Sequence, residues 1–410
     1  MKRLSGKTSA AKWFVCGFTI LATIIAVAEP FVPTDGKQVL EVLRSTAFDP
    51  ADHEIRQLRG RLAADPTNVG VACQVAQRCL ERSRSQADPR YLGRAQSALA
   101  PWWDLPAPPL DVLVWRATIK QSQHEFTNAL ADLDLATQLA PRNPQVWLTR
   151  ATVLTVLGDY AGARRACLPL LELTPGLIAL TAATSVTSLN GEAASGCALL
   201  HRVLDGSDRP TDDEKLWALT VLAEAEVRLG RVADAEQDFK SGLALGRRDP
   251  YLLGAYADLL LDQARAQEAA DLLKNENRAD ALLLRLTLAE SMLLPRPQTE
   301  PAHVAELKAR FEAGHLRGDF VHQREEARFE LHLLNQPREA LSLAKANWQV
   351  QHEPADLRIL LESALAAGEP DAARPAIAFI QTNRLEDQQL AKLVQQLASR
   401  PNAQASNAPL

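Results

Sequence analysis

The chain is poor in the residues on which most alternatives to a helical protein depend. Among 410 residues there are 19 glycines and 5 cysteines, and aromatic side chains make up only 5%. Scarce glycine and aromatics, with almost no alternation of apolar and polar residues, argue against a sandwich or barrel of strands. No Gly-rich phosphate loop, H-E-x-x-H or C-x-x-C occurs, which removes the common nucleotide and metal signatures. No Ser or Cys is flanked by convincing base candidates, and the strand-turn-helix setting of a nucleophile elbow is absent. An excess of one charge is missing too: 45 basic and 50 acidic residues leave a net charge of −5, spread rather than blocked. A nucleic-acid surface needs a clustered basic face, so no nucleic-acid partner is expected.

Long apolar runs are confined to the N-terminus. Lys2, Arg3, Lys7 and Lys12 precede a continuously apolar or small stretch from Trp13 to Val27, and Ala26-Val27-Ala28 is an A-x-A cleavage site before Glu29. Residues 1–28 therefore read as a secretory signal peptide, and the protein as exported, periplasmic or secreted. The alternative is an uncleaved anchor, the only form in which a membrane would be a partner. Its apolar run is shorter than the ~20 residues a spanning helix prefers. Residues 29–50 read as a linker.

What the sequence does contain is a repeat. Arg116-Ala117 recurs as Arg150-Ala151, Ala129 as Ala163 and Pro141 as Pro175, each 34 residues on (150−116, 163−129, 175−141). In the second copy Trp147, Leu154 and Leu157 form one apolar stripe of a helix A. Gly158-Asp159-Tyr160 ends that helix, and Ala163 on helix B and Ala151 on helix A let the two axes approach closely. Cys167, Leu170 and Leu171 complete the apolar face of B, and Pro175 closes the unit. The stretches "VWRATIKQSQHEFTNALADLDLATQLAP" and "VWLTRATVLTVLGDYAGARRACLPLLELTP" resemble the tetratricopeptide repeat family. That resemblance implies an all-α fold, a right-handed α-solenoid of antiparallel helix pairs, whose job is to bind a protein or peptide. One pair cannot bury both faces alone, so neighbours stack on it. Contacts between neighbours alone would make chemical unfolding broad.

Weaker copies extend the array over residues 51–293. Pro101 to Pro109 reads as a proline-rich loop carrying Trp102 and Trp103, which form either a contact patch or a lid over the preceding pair. The lid is preferred. Thr211 with Glu214 reads as a capping box rather than as three carboxylates poised for chemistry. Residues 294–303 read as a stretched proline-rich turn and 304–400 as degenerate repeats with a terminal capping helix that has no partner. The tail, 401–410, is expected to be disordered.

The expected binding surface is the concave groove lined by helices A: Val114, Trp115, Thr118 and Gln121, then Leu148, Thr149, Thr152 and Thr155. Ala117 must face helix B, so Trp115, about 200° round the helix, points away from that contact. It reads either as a binding anchor or as packing against the preceding unit. Some family members grip a partner's C-terminal carboxylate with lysines and asparagines in this groove; that set is missing, and the activity is not carried over. His322 and Glu326 share a helix face, but His332 lies about 15 Å further along, so the pair reads as solvated rather than ligating. Cys73 and Cys79 cannot bond to each other on one helix. Cys167 and Cys197 fall on consecutive helices B, which leaves a disulfide and buried free thiols both open, the thiols preferred. No catalytic constellation, cofactor or metal is expected. The reading is a non-enzymatic scaffold exported to the cell envelope, with two alternatives: a carrier of a small apolar ligand, or a metal-binding or enzymatic protein using its C-terminal half.

Overall fold

A left-handed residue after most of the helices A and alanines where A touches B recur along the described residues and set the architecture. The computed structural model describes residues 49–206, 209–293, 301–316 and 322–399. The signal peptide (1–28), most of the linker (29–48), most of the proline-rich turn (294–300) and the tail (401–410) fall outside the described residues. Among the described residues there are twenty-one α-helices, one 3₁₀ turn and no strand.

Helix α1 (Pro50–Ala64) packs on the pair α2 (Val69–Gln86) and α3 (Arg90–Ala98), and a single turn, α4 (Ala100–Trp103), follows. The two clearest copies are α5 (Leu110–Ser122) with α6 (Phe126–Leu139), and α7 (Pro144–Val156) with α8 (Tyr160–Leu173). Then come α9 (Leu177–Thr187) with α10 (Ala193–Gly206), α11 (Asp212–Arg228) with α12 (Val232–Ala244), and α13 (Pro250–Asp262) with α14 (Ala266–Leu273). Helices α15 (Asp280–Leu293) and α16 (Ala302–Leu316) lead to α17 (Gln323–His332) with α18 (Pro337–Trp348). The series ends with α19 (Pro354–Ala367), a 3₁₀ turn (Pro370–Ala373), α20 (Arg374–Asn383) and α21 (Gln388–Ser399).

Gly158, Gly191 and Gly230 turn A into B at φ of 78°, 75° and 73°, where glycine carries no Cβ penalty. In the first copy His124 takes the same turn at φ 60°. Ala117, Ala129, Ala151 and Ala163 are all buried at the crossings, as their spacing predicts. Thr211 caps α11: the Glu214 amide donates to its hydroxyl (3.2 Å) and its own amide donates to Glu214 Oε2 (2.8 Å).

The array is not a simple stack of neighbours. One core joins Ala151, Tyr160, Ala163 and Val186 of the early pairs to Ala327, Leu341, Trp348 and Leu357 of the late ones. The chain therefore folds back. His352 donates its amide to Val156 O (2.8 Å), Tyr160 donates its hydroxyl to His352 O (3.3 Å), and the Tyr160 ring meets Phe379 edge-on at 5.7 Å. Further along, the Ala193 amide donates to Glu386 Oε2 (2.9 Å) and Gln388 donates to Leu229 O (2.8 Å). The late helices lie on the A–B turns of the early pairs. This corrects the expectation of neighbour-only contacts, on which the expectation of broad unfolding rested. Helix α21 also has partners, since Leu390, Leu393 and Leu397 are buried in that shared core.

Candidate functional site

The expected groove is partly closed. Val114 lies in the core with Leu113, Phe126 and Leu133, and Thr118 and Thr149 are buried too. The two threonines turn their hydroxyls back to their own helices, Thr118 onto Val114 O (2.9 Å) and Thr149 onto Gln145 O (3.0 Å). That satisfies the oxygen and leaves the methyl to pack. These three residues are out of a partner's reach. Trp115 is half-buried against the core of the preceding pairs. Gln121, Leu148 and Thr155 are half-buried, with Leu148 against the folded-back core, and Thr152 alone of the eight is exposed.

Nor are the paired tryptophans a free loop. They stand in α4, with Trp102 buried and Trp103 half-buried. The holder is Arg116: its Nη1 donates to Trp102 O (3.3 Å), Trp103 O (2.5 Å) and Leu105 O (2.9 Å). The other edge of the guanidinium grips Asp132 of α6 at 2.6 and 2.9 Å, and Lys120 Nζ adds a third contact to that carboxylate at 2.8 Å.

A polar face is built by helices far apart in sequence. Asp258 of α13 takes Arg285 of α15 (2.6 Å) and Arg328 of α17 (2.9 Å). Burial raises its pKa, but the two guanidinium groups outweigh that and hold it well below the carboxylate range. Arg324, one turn before Arg328, pairs with Glu353 (2.8 Å) and Asp356 (3.3 Å), and its charge reaches Glu224 and Tyr251. Tyr251 is 61% exposed, yet its hydroxyl is fixed on Glu224 Oε1 at 2.7 Å. Burial, then Arg324 and His322, push the nearby His124 imidazole down to about 4. The result is a charged face carrying one rigid exposed aromatic. No sequence motif marks it, because Glu224, Tyr251 and Arg324 belong to three separate pairs.

The candidate metal set in the C-terminal half does not assemble. His315 contacts Glu326 (2.9 Å), His332 contacts Glu362 (3.1 Å), and His322 is the cap residue before α17. Another cluster does assemble. His201, Glu226 and Asp238 come from α10, α11 and α12, with His201 Nε2 2.9 Å from Glu226 Oε1 and 3.6 Å from Asp238 Oδ2. Burial and the Glu226 charge push Asp238 up to about 7. A register argument reaches these residues where a motif search does not: the offset of 106 that carries Ala129 onto Ala235 also carries Lys120 onto Glu226 and Asp132 onto Asp238.

All four described cysteines are buried and free, which corrects the disulfide alternative for Cys167 and Cys197. The two lie in different cores, and burial pushes both thiols up to about 11. A half-open cleft of about 370 Å³ beside Cys167 is lined by Leu168, Leu171, Ala183 and Val186 together with Arg164, Arg165 and Thr187.

Helix pairs of this length, joined by tight left-handed turns and stacked through alanine crossings, define a tetratricopeptide-repeat-like α-solenoid. No family model and no curated protein matches the sequence. Several solved structures are similar to it. A chain of the APC/C hetero-tetramer Cut9-Hcn1 matches at 14% identity and TM-score 0.42, over 85% of this chain and 60% of that one. This protein thus spans about 60% of that chain's length. A tetratricopeptide repeat protein from Parabacteroides merdae matches at 15% identity and TM-score 0.24, over 80% and 100% of the two chains. The human IFIT1 dimer with m7Gppp-AAAA matches at 13% identity and TM-score 0.35, over 81% and 73%.

Proposed function

We propose that this protein is a non-enzymatic scaffold, exported to the cell envelope, that holds a protein or peptide segment on the polar face around Tyr251. The observation that carries the reading is the state of Tyr251: a large aromatic, mostly exposed, yet pre-ordered by Glu224 beside Arg324. Rigid aromatics flanked by charge dominate many interfaces, because little side-chain entropy is lost on docking. Of the five helices converging there, α13, α15, α17 and α19 are tied by ion pairs and α11 by the Tyr251–Glu224 hydrogen bond, so the face does not need a partner to form. Crosslinking in the native host, followed by identification of what is recovered, tests the reading. Tyr251→Ala is expected to lose the partner with helicity and melting unchanged, whereas Trp115→Ala is expected to lower stability first. Partner recovery undiminished in Tyr251→Ala would move the site off this face. Export is read from the N-terminal segment alone; N-terminal sequencing should find Glu29 first, and Met1 intact in a membrane fraction would make it an anchor.

The half-open cleft beside Cys167 favours a second reading, a carrier of a small apolar ligand, since four apolar side chains line it and its volume falls in the range of small-molecule sites. Native mass spectrometry decides it: a bound mass lost in Leu171→Trp supports a carrier, and the bare chain mass rejects one.

A further inference from the structure

We infer that His201, Glu226 and Asp238 form a site for a divalent transition-metal cation, zinc in the first instance, which ties α10 to α11 and α12. One ligand atom from each side chain lies within 4.8 Å of the other two. Glu226 is 2% exposed and Asp238 7%, and each keeps one buried carboxylate oxygen, Glu226 Oε2 and Asp238 Oδ2, without a hydrogen-bond partner. A buried carboxylate oxygen left without a donor is costly, and two such groups side by side repel. In the equivalent place beside α5 the chain supplies its own cation: Lys120 stands where α11 has Glu226, and it sits 2.8 Å from Asp132. Beside α11 no lysine or arginine among the described residues pairs with Glu226 or Asp238, and only the half-exposed His201 imidazole faces them, so the geometry leaves room for a cation from solution.

One imidazole with two carboxylates is a borderline donor set. It suits zinc or a neighbouring transition ion, whereas calcium and magnesium favour oxygen alone. Glu226 and Asp238 close the inner side, and the half-exposed His201 leaves the outer side open to solvent for entry and for a water ligand. Because the three residues belong to two successive helix pairs, binding stabilises the stack between them. This inference does not depend on the partner-binding reading above.

The test is zinc titration of the purified, chelator-stripped chain by calorimetry at pH 7.5, with melting followed in parallel. One zinc per chain and a higher melting temperature are expected. His201→Ala and Asp238→Asn should each weaken binding at least about 100-fold, because losing even an outer partner of a ligand costs 10–100-fold. Glu226→Lys separates binding from folding: the introduced ammonium copies the α5–α6 arrangement, so helicity should persist while zinc uptake vanishes. No stoichiometric uptake by the unaltered chain would overturn the proposal, and so would uptake unchanged in Asp238→Asn and Glu226→Lys.

Discussion

The α5–α6 and α11–α12 pairs share a backbone register and fill the same slot with opposite chemistry. In α5–α6 the slot holds Arg116, Lys120 and Asp132, one buried carboxylate between two cations. In α11–α12 the equivalents of the last two are Glu226 and Asp238, with His201 reaching in from α10. The α7–α8 pair supplies a third version: the slot holds Leu154 and Ala166, both buried, and Arg150 turns outward to Asp134. The alanines one turn away fix how closely the helices cross, and the slot does not affect that. A repeat can therefore keep its fold while one position changes from ion network to hydrocarbon to a pair of bare carboxylates. Only the α5–α6 and α11–α12 slots make the local charge a matter of stability, and with opposite sign.

The largest effect should come from breaking the closed version. Asp132→Ala leaves Arg116 buried, still bound to the α4 carbonyls but without its counter-ion. Removing one member of a buried pair typically costs about 3–5 kcal/mol. Urea denaturation should report that loss, and tryptophan fluorescence should shift as Trp102 and Trp103 loosen. A loss under about 1 kcal/mol would mean that solvent already compensates Arg116.

A second contrast separates a turn that the late helices cover from one they leave bare. Gly158 and Gly246 both have left-handed φ, 78° and 67°. A Cβ at Gly158 would stand 2.7 Å from the Phe379 ring, while one at Gly246 meets nothing within 4 Å. Gly246→Ala should cost only the backbone penalty, about 1–2 kcal/mol. Gly158→Ala should add about 1–3 kcal/mol of overpacking. Equal midpoints for the two variants would remove the fold-back contact, and with it the expectation of cooperative unfolding.

That fold-back marks the limit of what the sequence makes legible. The helix pairs are readable because their causes are local: Gly158 ends a helix wherever it stands, and Ala151 and Ala163 meet because 34-residue spacing brings them round. The Thr211 cap is equally local. By contrast, nothing near Val156 announces that the His352 amide will donate to its carbonyl, 196 residues on (352−156). Three of the eight groove residues, Val114, Thr118 and Thr149, are buried for an intermediate reason. Placing Thr118 and Thr149 on helix A was right, but which side of the helix is covered depends on the neighbouring pair, and their hydroxyls are satisfied internally. The Tyr251 face and the His201 cluster draw on three or more helices each, so no window of sequence contains them.

Acid should separate carboxylates that have cations from those that do not. Glu362 resembles Asp132: Arg358 (2.7 Å) and His332 (3.1 Å) both contact it. Burial raises its pKa, but these two partners reverse that and bring it to about 2. A depressed carboxylate stabilises the fold above its unfolded pKa of about 4.5 and loses that contribution as pH falls from there toward the folded value. Stability should decline over that window, and the decline should shrink in Glu362→Gln. At neutral pH that variant should be about 1–2 kcal/mol less stable, converging with the parent near pH 2. Parallel acid titrations of the two proteins would deny Glu362 this role.

The smallest expected change is the most discriminating. Asp238→Asn, measured in chelator-stripped protein at pH 7.5, makes at Asp238 the kind of charge removal that is so costly at Asp132. Here no buried cation loses its partner, because the nearest side chains are a second carboxylate, Glu226, and a half-exposed imidazole, His201. The carboxamide is isosteric, removes one of two like charges, and can donate to the Glu226 oxygen that lacks a partner. The variant should therefore melt at or above the parent, within about 0.5 kcal/mol or more stable, against the several kcal/mol lost at Asp132. With zinc present the order should reverse, since the parent gains the ion and the variant does not. A destabilisation of about 2 kcal/mol or more in stripped protein would mean that Asp238 already has a cationic partner, and the two slots would then differ in detail rather than in kind.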